Sequence, residues 1–450
     1  MSKYKIINIL SALVLFTTIA AAQTDVQKTA KIDSLLQIFT NKNMFCGSVL
    51  VAKDGKTLLS KGYGMANYSD NIPNTNLTKF KLASVSKQFT AMCIMILEEK
   101  GKLSTNDKLT KYIPDYPQGD KITIHNLLTH TSGIPDFTSM PKYDSIMTLT
   151  TTLDKEINLF KNKPLDFEPG SKHQYSNSGY LLLSYIIEKV SGKTYGDFVK
   201  STIFVPLGMK NSGLYTNKEV LKNVANGYTD NGGTIENAQY VDMSIPSGAG
   251  ALYSTVEDMF LWDQSWYTEK LVKKTSMEKM LTPFKDNYAY AWMIDNYVGH
   301  KWAYHTGGIQ GFATVIHRFP DDNVCIVILK NVDNYLTFPA GKIIRAIMFG
   351  EKYELPVEHK VADINKKIYE KLVGDYELMP GFVLSITTDG KSLYSQATGQ
   401  MKLEIHPEAE LKYFLKEIDA QFEFMKDDKG KISSVTLFQS GQKLNGKKIK

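Results

Sequence analysis

The sequence predicts an α+β protein: an antiparallel sheet flanked by helices, with a mainly helical subdomain, followed by a small all-β, barrel-like domain. Three observations carry this. A hairpin pattern near the start precedes a long helix that is apolar nearly all round; residues 288–331 read as a run of short strands; and residues 361–450 are β-rich throughout. A length of 450 residues suits one to three domains.

The elements follow in order. Residues 1–22 carry Lys3 and Lys5, then an apolar stretch from Ile6 to Ile19, then Ala20-Ala21-Ala22. That is the grammar of a secretory signal peptide, too short and too often interrupted to span a membrane. The protein is therefore expected to be secreted or periplasmic, with no stable membrane span after cleavage. Phe45–Ala52 and Lys56–Gly64 are strand-like runs joined by Lys53-Asp54-Gly55, a hairpin turn. Ser84–Lys100 reads as a helix whose apolar residues surround it, so it belongs inside a domain, with Gly101 as its stop.

Residues 105–245 are mixed, with a helical pattern at Tyr180–Val190. Ser254 and Glu257 form a capping-box pattern opening a helix at Thr255–Trp266. The meander then reads Tyr288–Val298, KWAYHT, GFATVIHRF and NVCIVILKN, with short connections containing Gly-His-Lys, Gly-Gly-Ile-Gln and Pro-Asp-Asp-Asn. Val324–Leu329 has no polar residue, as a central strand covered on both faces requires. A helix at Ala340–Phe349 and a linker at 351–360 lead to the β-rich end. The domains are thus 1–22 (signal peptide), 23–352 and 361–450.

Composition narrows the function. Hydrophobic residues at 43% and charged residues at 22% are ordinary for a globular protein. The net charge of +6 is mild, and Arg318 and Arg345 are the only arginines. Arginine is the usual reader of bases and phosphates, so nucleic acid is not an expected partner. Cys46, Cys93 and Cys325 lie in apolar runs and read as small buried hydrophobes. There is no His-Glu-x-x-His, P-loop or dinucleotide fingerprint, and no cofactor or metal is expected.

Three segments can do chemistry. Ser84 and Lys87 share a face one turn apart at the start of the apolar helix, where free N–H groups and the dipole favour a developing oxyanion. A lysine with an ordinary pKa of ~10.4 is a poor base at neutral pH, but burial favours its neutral form. Ser-x-x-Lys occurs five times in the chain, and only this copy opens a long apolar helix. Tyr175-Ser176-Asn177 offers a phenol that can pass a proton to a leaving group and an amide that can orient a substrate carbonyl and also hold the lysine. Tyr215-Thr216-Asn217 repeats the pattern without a following apolar helix. His305-Thr306-Gly307-Gly308 ends a strand of the meander. Its glycines would let a substrate lie along the strand edge, with the Gly308 N–H as an oxyanion donor.

In this order, the three segments resemble the penicillin-recognising serine hydrolases, nearest the class C β-lactamases, D-alanyl-D-alanine carboxypeptidases, D-aminopeptidases and related esterases. GSVLVAKDGK, LLTHTSGI (Leu127–Ile134), YSNSGYLLL (Tyr175–Leu183), GAGALYST (Gly248–Thr255) and HTGGIQGF (His305–Phe312) are similar to the family's signposts. The last ninety or so residues resemble, more distantly, a lipocalin-like β-domain. The resemblance implies a β-lactamase/transpeptidase-like fold for residues 23–352 and an acyl-enzyme on Ser84. Lys87 and Tyr175 would share the base role, Asn177 would orient the substrate, and His305, Thr306 and Gly307 would line the cleft. The N–H groups of Ser84 and Gly308 would form the oxyanion hole. It also implies a small-molecule or peptide substrate, such as a peptidoglycan stem peptide, a β-lactam or a small ester. Many members carry Lys where His305 stands, and some use an arginine on a neighbouring strand to hold a carboxylate. Tyr288–Val298 has no arginine, which points to a substrate lacking that carboxylate. A non-catalytic protein that keeps the cleft to bind a ligand is the alternative. The sequence is silent on oligomeric state.

Overall fold

The computed structural model describes residues 24–450 apart from 217–219, 232–233, 334–336, 356–358, 360, 399–401, 416–419 and 440–441. The signal-peptide segment 1–22 lies outside the described residues. The chain divides into two compact units with the boundary at Lys352/Tyr353, apart from residues 231, 234 and 337–339, which group with the second.

The first unit is built on a six-stranded antiparallel sheet. Its strands are β1 (Gly47–Lys53), β2 (Lys56–Tyr63), β3 (Met293–Tyr297), β4 (His300–Ile309), β5 (Phe312–Phe319) and β6 (Val324–Lys330), in the order β3-β4-β5-β6-β1-β2. The β1–β2 turn follows from its residues: Asp54 (φ 51°) and Gly55 (φ 71°) both adopt the left-handed conformation that a two-residue hairpin needs. β6 is central and buried at every position. It pairs with β1 across most of the chain, Val49 facing Ile328.

Helix α1 (Lys87–Glu99) is buried from Lys87 to Leu97. It packs against α2 (Asn177–Ser191), which Gly192 ends in the left-handed conformation. Helix α3 (Val256–Ser265) packs on β1 and β6.

The structure departs from the sequence reading at several places. Ser84 lies in a 3-10 turn, Ala83–Ser86, and the α-helix starts at Lys87. Only Met293–Tyr297 of Tyr288–Val298 is strand. Tyr288–Trp292 is irregular chain crossing the core, buried at every residue, with Ala291 at φ 60°. Helix α3 is capped by Thr255, which accepts from the Asp258 N–H, rather than by Ser254. The β4–β5 turn is Gln310-Gly311, so Gly307 and Gly308 belong to the strand. The helix read at Ala340–Phe349 begins earlier, at Thr337. All three cysteines are buried and free.

Arg318 on β5 forms a buried ion pair with Asp263 of α3, Nε to Oδ1 at 2.9 Å, with side-chain exposures of 2% and 0%. Its guanidinium also lies 4.7 Å from the Tyr267 ring centre. Removing one partner strands a buried charge. Arg318→Met is therefore expected to cost about 3–5 kcal/mol in denaturant unfolding while leaving the pH profile of any activity in place.

The second unit is a closed antiparallel barrel of eight strands running from Gly374–Met379 to Gln442–Lys448. Tyr376, Leu384, Ile386, Leu393, Ile405, Tyr413, Phe422, Phe424 and Val435 form its core. The two tyrosine hydroxyls are satisfied by the carbonyls of Leu372 (2.7 Å) and Glu410 (3.1 Å).

Candidate active site

The turn that carries Ser84 is held from both sides. On one, the Leu82 N–H donates to the Leu252 carbonyl (2.8 Å) and the Leu252 N–H to Ser86 Oγ (3.1 Å). On the other, Thr314 of β5 donates its hydroxyl to the Leu82 carbonyl (2.8 Å). Strand β4 then passes so close that a Cβ on Gly307 would meet the Leu82 oxygen at 2.4 Å and the Ser84 nitrogen at 3.0 Å. Ala83, just before the serine, sits at φ 47°, a strained conformation for a residue with a Cβ. Ser84 itself is partly exposed, whereas Lys87 is 0% exposed.

Lys87 Nζ lies 2.9 Å from Ser84 Oγ, 2.8 Å from Asn177 Oδ1 and 2.8 Å from the Ala249 carbonyl oxygen. Two of these partners only accept. A neutral amine has two N–H bonds and one lone pair, so its hydrogens go to Asn177 and Ala249 and the lone pair faces the Ser84 hydroxyl. Burial lowers the Lys87 pKa to about 7, the Asp136 carboxylate opposing the shift. The Tyr175 hydroxyl hydrogen-bonds Ser84, and Lys87 Nζ lies 4.9 Å from the Tyr175 ring centre. Burial pushes the Tyr175 phenol up, with the bond to Ser84 working against it. Lys87 rather than Tyr175 is thus the group that gives up its proton first.

Asn177 is the first residue of α2. Its Nδ2 lies 3.2 Å from Asp136 Oδ2 and 3.3 Å from Thr138 Oγ1, so its amide is engaged at both ends within the protein. Of the two roles the sequence suggested for it, Asn177 holds the lysine, and its amide nitrogen is taken by Asp136 and Thr138 rather than left for a substrate carbonyl.

Strand β3 ends opposite Tyr304, so among the described residues the edge of β4 from His305 to Ile309 is unpaired on that side. Ile309 and Phe312 close a two-residue hairpin. The alternation of an antiparallel ladder then turns the Gly308 N–H away from β5 and toward this open edge. Gly308 is exposed, and a Cβ there would meet nothing within 4 Å.

His305 is turned into the protein instead of lining the cleft. The Ser176 N–H donates to His130 Nδ1 (3.1 Å), leaving His130 Nε2 to donate to the Tyr288 hydroxyl (3.1 Å). Tyr288 in turn donates to His305 Nε2 (3.0 Å), and His305 Nδ1 donates to the Thr306 carbonyl (2.6 Å). This sequence of donors requires both imidazoles to be neutral. Burial, with Lys87 as a second cause, lowers His305 to about 3 and holds His130 well below its usual value. The His130 ring packs 4.2 Å from that of Tyr175 and so supports the phenol from behind.

The sequence reading missed Asp136, the Ala249 carbonyl and the His130–Tyr288 pair. His130 and Ala249 lie inside LLTHTSGI and GAGALYST, which marked the positions without revealing their roles. Asp136 stands two residues past the first of these. Gly307 also carries a test: Gly307→Ala is expected to displace the serine turn and cut turnover about 10²-fold or more, the usual cost of a lost oxyanion donor, while the protein stays folded by circular dichroism.

A sheet-and-helix α+β unit that sets a serine against a buried amine, beside an open strand edge, is the arrangement of a serine hydrolase. Residues 29–346 match the Beta-lactamase family, and the chain belongs to that family. Residues 358–448 match a domain of unknown function, DUF3471. The chain is 32% identical to penicillin-binding protein 4* of Bacillus subtilis (strain 168), over 92% of this chain and 97% of that one. It is 29% identical to the teichoic acid D-alanine hydrolase of Staphylococcus aureus (strain MRSA252), over 68% and 74% of the two chains. Among solved structures, an octameric penicillin-binding protein homologue from Pyrococcus abyssi superposes with a TM-score of 0.65 at 28% identity, covering 92% of this chain and 99% of that one.

Proposed function

We propose that the protein cleaves an ester or amide outside the cytoplasm through an acyl-enzyme on Ser84, its substrate a D-amino-acid derivative of the cell-wall type. The placement of Lys87 Nζ, fully buried and 2.9 Å from Ser84 Oγ with its other two partners obligate acceptors, carries this reading. Neutral Lys87 takes the Ser84 proton as Oγ attacks the carbonyl carbon. The carbonyl oxygen becomes an oxyanion between the N–H groups of Ser84 and Gly308. As the intermediate collapses, the Tyr175 phenol gives its proton to the leaving oxygen or nitrogen and recovers one from Lys87. Water then attacks the ester on Ser84 as Lys87 accepts its proton; Lys87 returns that proton to Ser84 Oγ as the acyl–oxygen bond breaks, leaving free Ser84, a neutral amine and a carboxylic acid.

The name of one relative, a teichoic acid D-alanine hydrolase, supports a D-amino-acyl substrate. Neutral, buried His305 supplies no cation at its position on β4 to meet a carboxylate, and Arg318 is committed to Asp263. Both favour esters and amides without a carboxylate next to the scissile bond. A panel of D- and L-alanine esters and amides, an acyl-D-Ala-D-Ala peptide and nitrocefin tests this. D-alanine esters or amides are expected to turn over faster than their L counterparts and faster than the dipeptide. Preference for the dipeptide or nitrocefin would contradict the substrate class, and no reaction with any probe would favour the non-catalytic alternative.

A further inference from the structure

Resting on the reading of Lys87 as the base, we propose that Asp136 is a positioning residue of this reaction: it locks the Asn177 amide in the orientation that presents oxygen to Lys87, and it places a fixed negative charge behind the catalytic amine.

The lock follows from donor and acceptor rules. Asp136 Oδ1 accepts the Asn177 N–H (3.1 Å) and the Thr138 N–H (3.3 Å). Its Oδ2 accepts Asn177 Nδ2 (3.2 Å) and the Thr138 hydroxyl (2.8 Å). A carboxylate can only accept, so Asn177 must turn its nitrogen toward Asp136 and its oxygen toward Lys87. Asp136 also takes over the cap of α2, because Ser176 at the cap position makes no side-chain capping bond. A helix cap alone would need only the backbone contact. The second contact, to the side chain that touches Lys87, is the one that reaches the chemistry.

The charge acts on the same amine. Around Lys87 stand Ser84 from the turn before it, Tyr175 just ahead of α2, Asn177 and Tyr180 from the first residues of α2, and the Ala249 carbonyl. His130 and His305 also feel its charge, and both are held neutral. Asp136 is the acid whose field reaches it, and that field favours the ammonium form against burial. It thereby keeps the Lys87 titration close to neutral pH.

The test is the pH dependence, between pH 5 and 9, of Ser84 labelling by a fluorophosphonate, which needs no knowledge of the natural substrate. In Asp136→Asn, an NH₂ group faces the Asn177 NH₂. Either that contact is lost, or Asn177 flips and turns its NH₂ toward Lys87. The maximal rate is expected to fall about tenfold, and the acid limb to move down by about one pH unit as the opposing charge is removed. The double variant Asp136→Asn/Asn177→Asp restores an acceptor opposite Lys87 and a donor opposite position 177. It is expected to regain rate and return the limb to the wild-type position or above it. Thermal unfolding is followed in parallel. If both variants lose stability and rate with the acid limb unmoved, Asp136 is a helix cap and nothing more. Lys87→Met separates the two readings. If it abolishes labelling while the Asp136 variants leave the limb in place, only this inference fails; if it labels with the wild-type limb intact, the base assignment fails first.

Discussion

Ser84→Ala is expected to abolish turnover of every ester and amide the protein cleaves, by at least about 10³-fold, with the fold unchanged. The size of the effect follows from the mechanism: without Oγ there is no acyl-enzyme, and a water in its place would lack the alignment given by the Ala83–Ser86 turn. The fold should survive because Ser84 is partly exposed and removal of its hydroxyl leaves Lys87 its two carbonyl acceptors. Parallel rates and melting curves for wild type and variant check this. A folded variant with wild-type rates would remove Ser84 from the chemistry.

Lys87→Met should be nearly as severe, and it is informative in a second way. Below pH of about 7 the wild-type amine becomes an ammonium with no lone pair for the Ser84 proton. Activity should therefore rise with pH through an apparent pKa near 7 and fall off on the acid side. An ordinary lysine would place that limb near ~10.4. Lys87→Met removes the group itself, so any residual activity should show no limb near 7. The stability of the variant helps the comparison, since methionine fills the same slot in an apolar helix without a buried charge. A wild-type limb near 10, or one near 7 that persists in Lys87→Met, would contradict the assignment of the base.

Much of the fold can be read from local pattern. The Asp54-Gly55 turn, the buried helix behind Lys87 and the apolar central strand all follow from neighbours within a few residues. The succession of short strands in the β-rich end is equally legible, while the closing of those strands into a barrel, Tyr376 against Lys448, is not. What local pattern cannot reach is closure across the chain. Nothing near Val49 says that it faces Ile328, yet that pairing brings the N-terminal hairpin and the meander into one sheet. Tyr288–Trp292 misleads for a related reason. Its alternation of aromatic residues and alanines imitates a strand, but every residue is buried, because the segment crosses the core and ends in a bend at Ala291. The consequence is functional, since a shorter β3 leaves the edge of β4 open beside the serine.

The site divides in the same way. Ser84 and Lys87 are visible as a pair because one helical turn joins them, and the apolar run around Lys87 foretells its burial. Tyr175 and Asn177 are found by pattern, but which atom of Asn177 meets Lys87 depends on Asp136, forty-one positions earlier in the chain. His305 is the clearest case of identity without role. Its motif position suggests a cleft residue, whereas Tyr288 and the Thr306 carbonyl occupy both of its nitrogens. Gly307 is a glycine because Leu82 and Ser84 leave no room for a Cβ, a constraint imposed by chain more than two hundred residues away.

The most direct measurement is the rate and position of fluorophosphonate labelling across pH 5–9, read by intact mass and peptide mapping. One adduct is predicted, on the peptide containing Ser84, forming faster as pH rises through about 7 and absent from both Ser84→Ala and Lys87→Met. Labelling at another serine, or at Ser84 with a rate indifferent to pH over that range, would contradict the account.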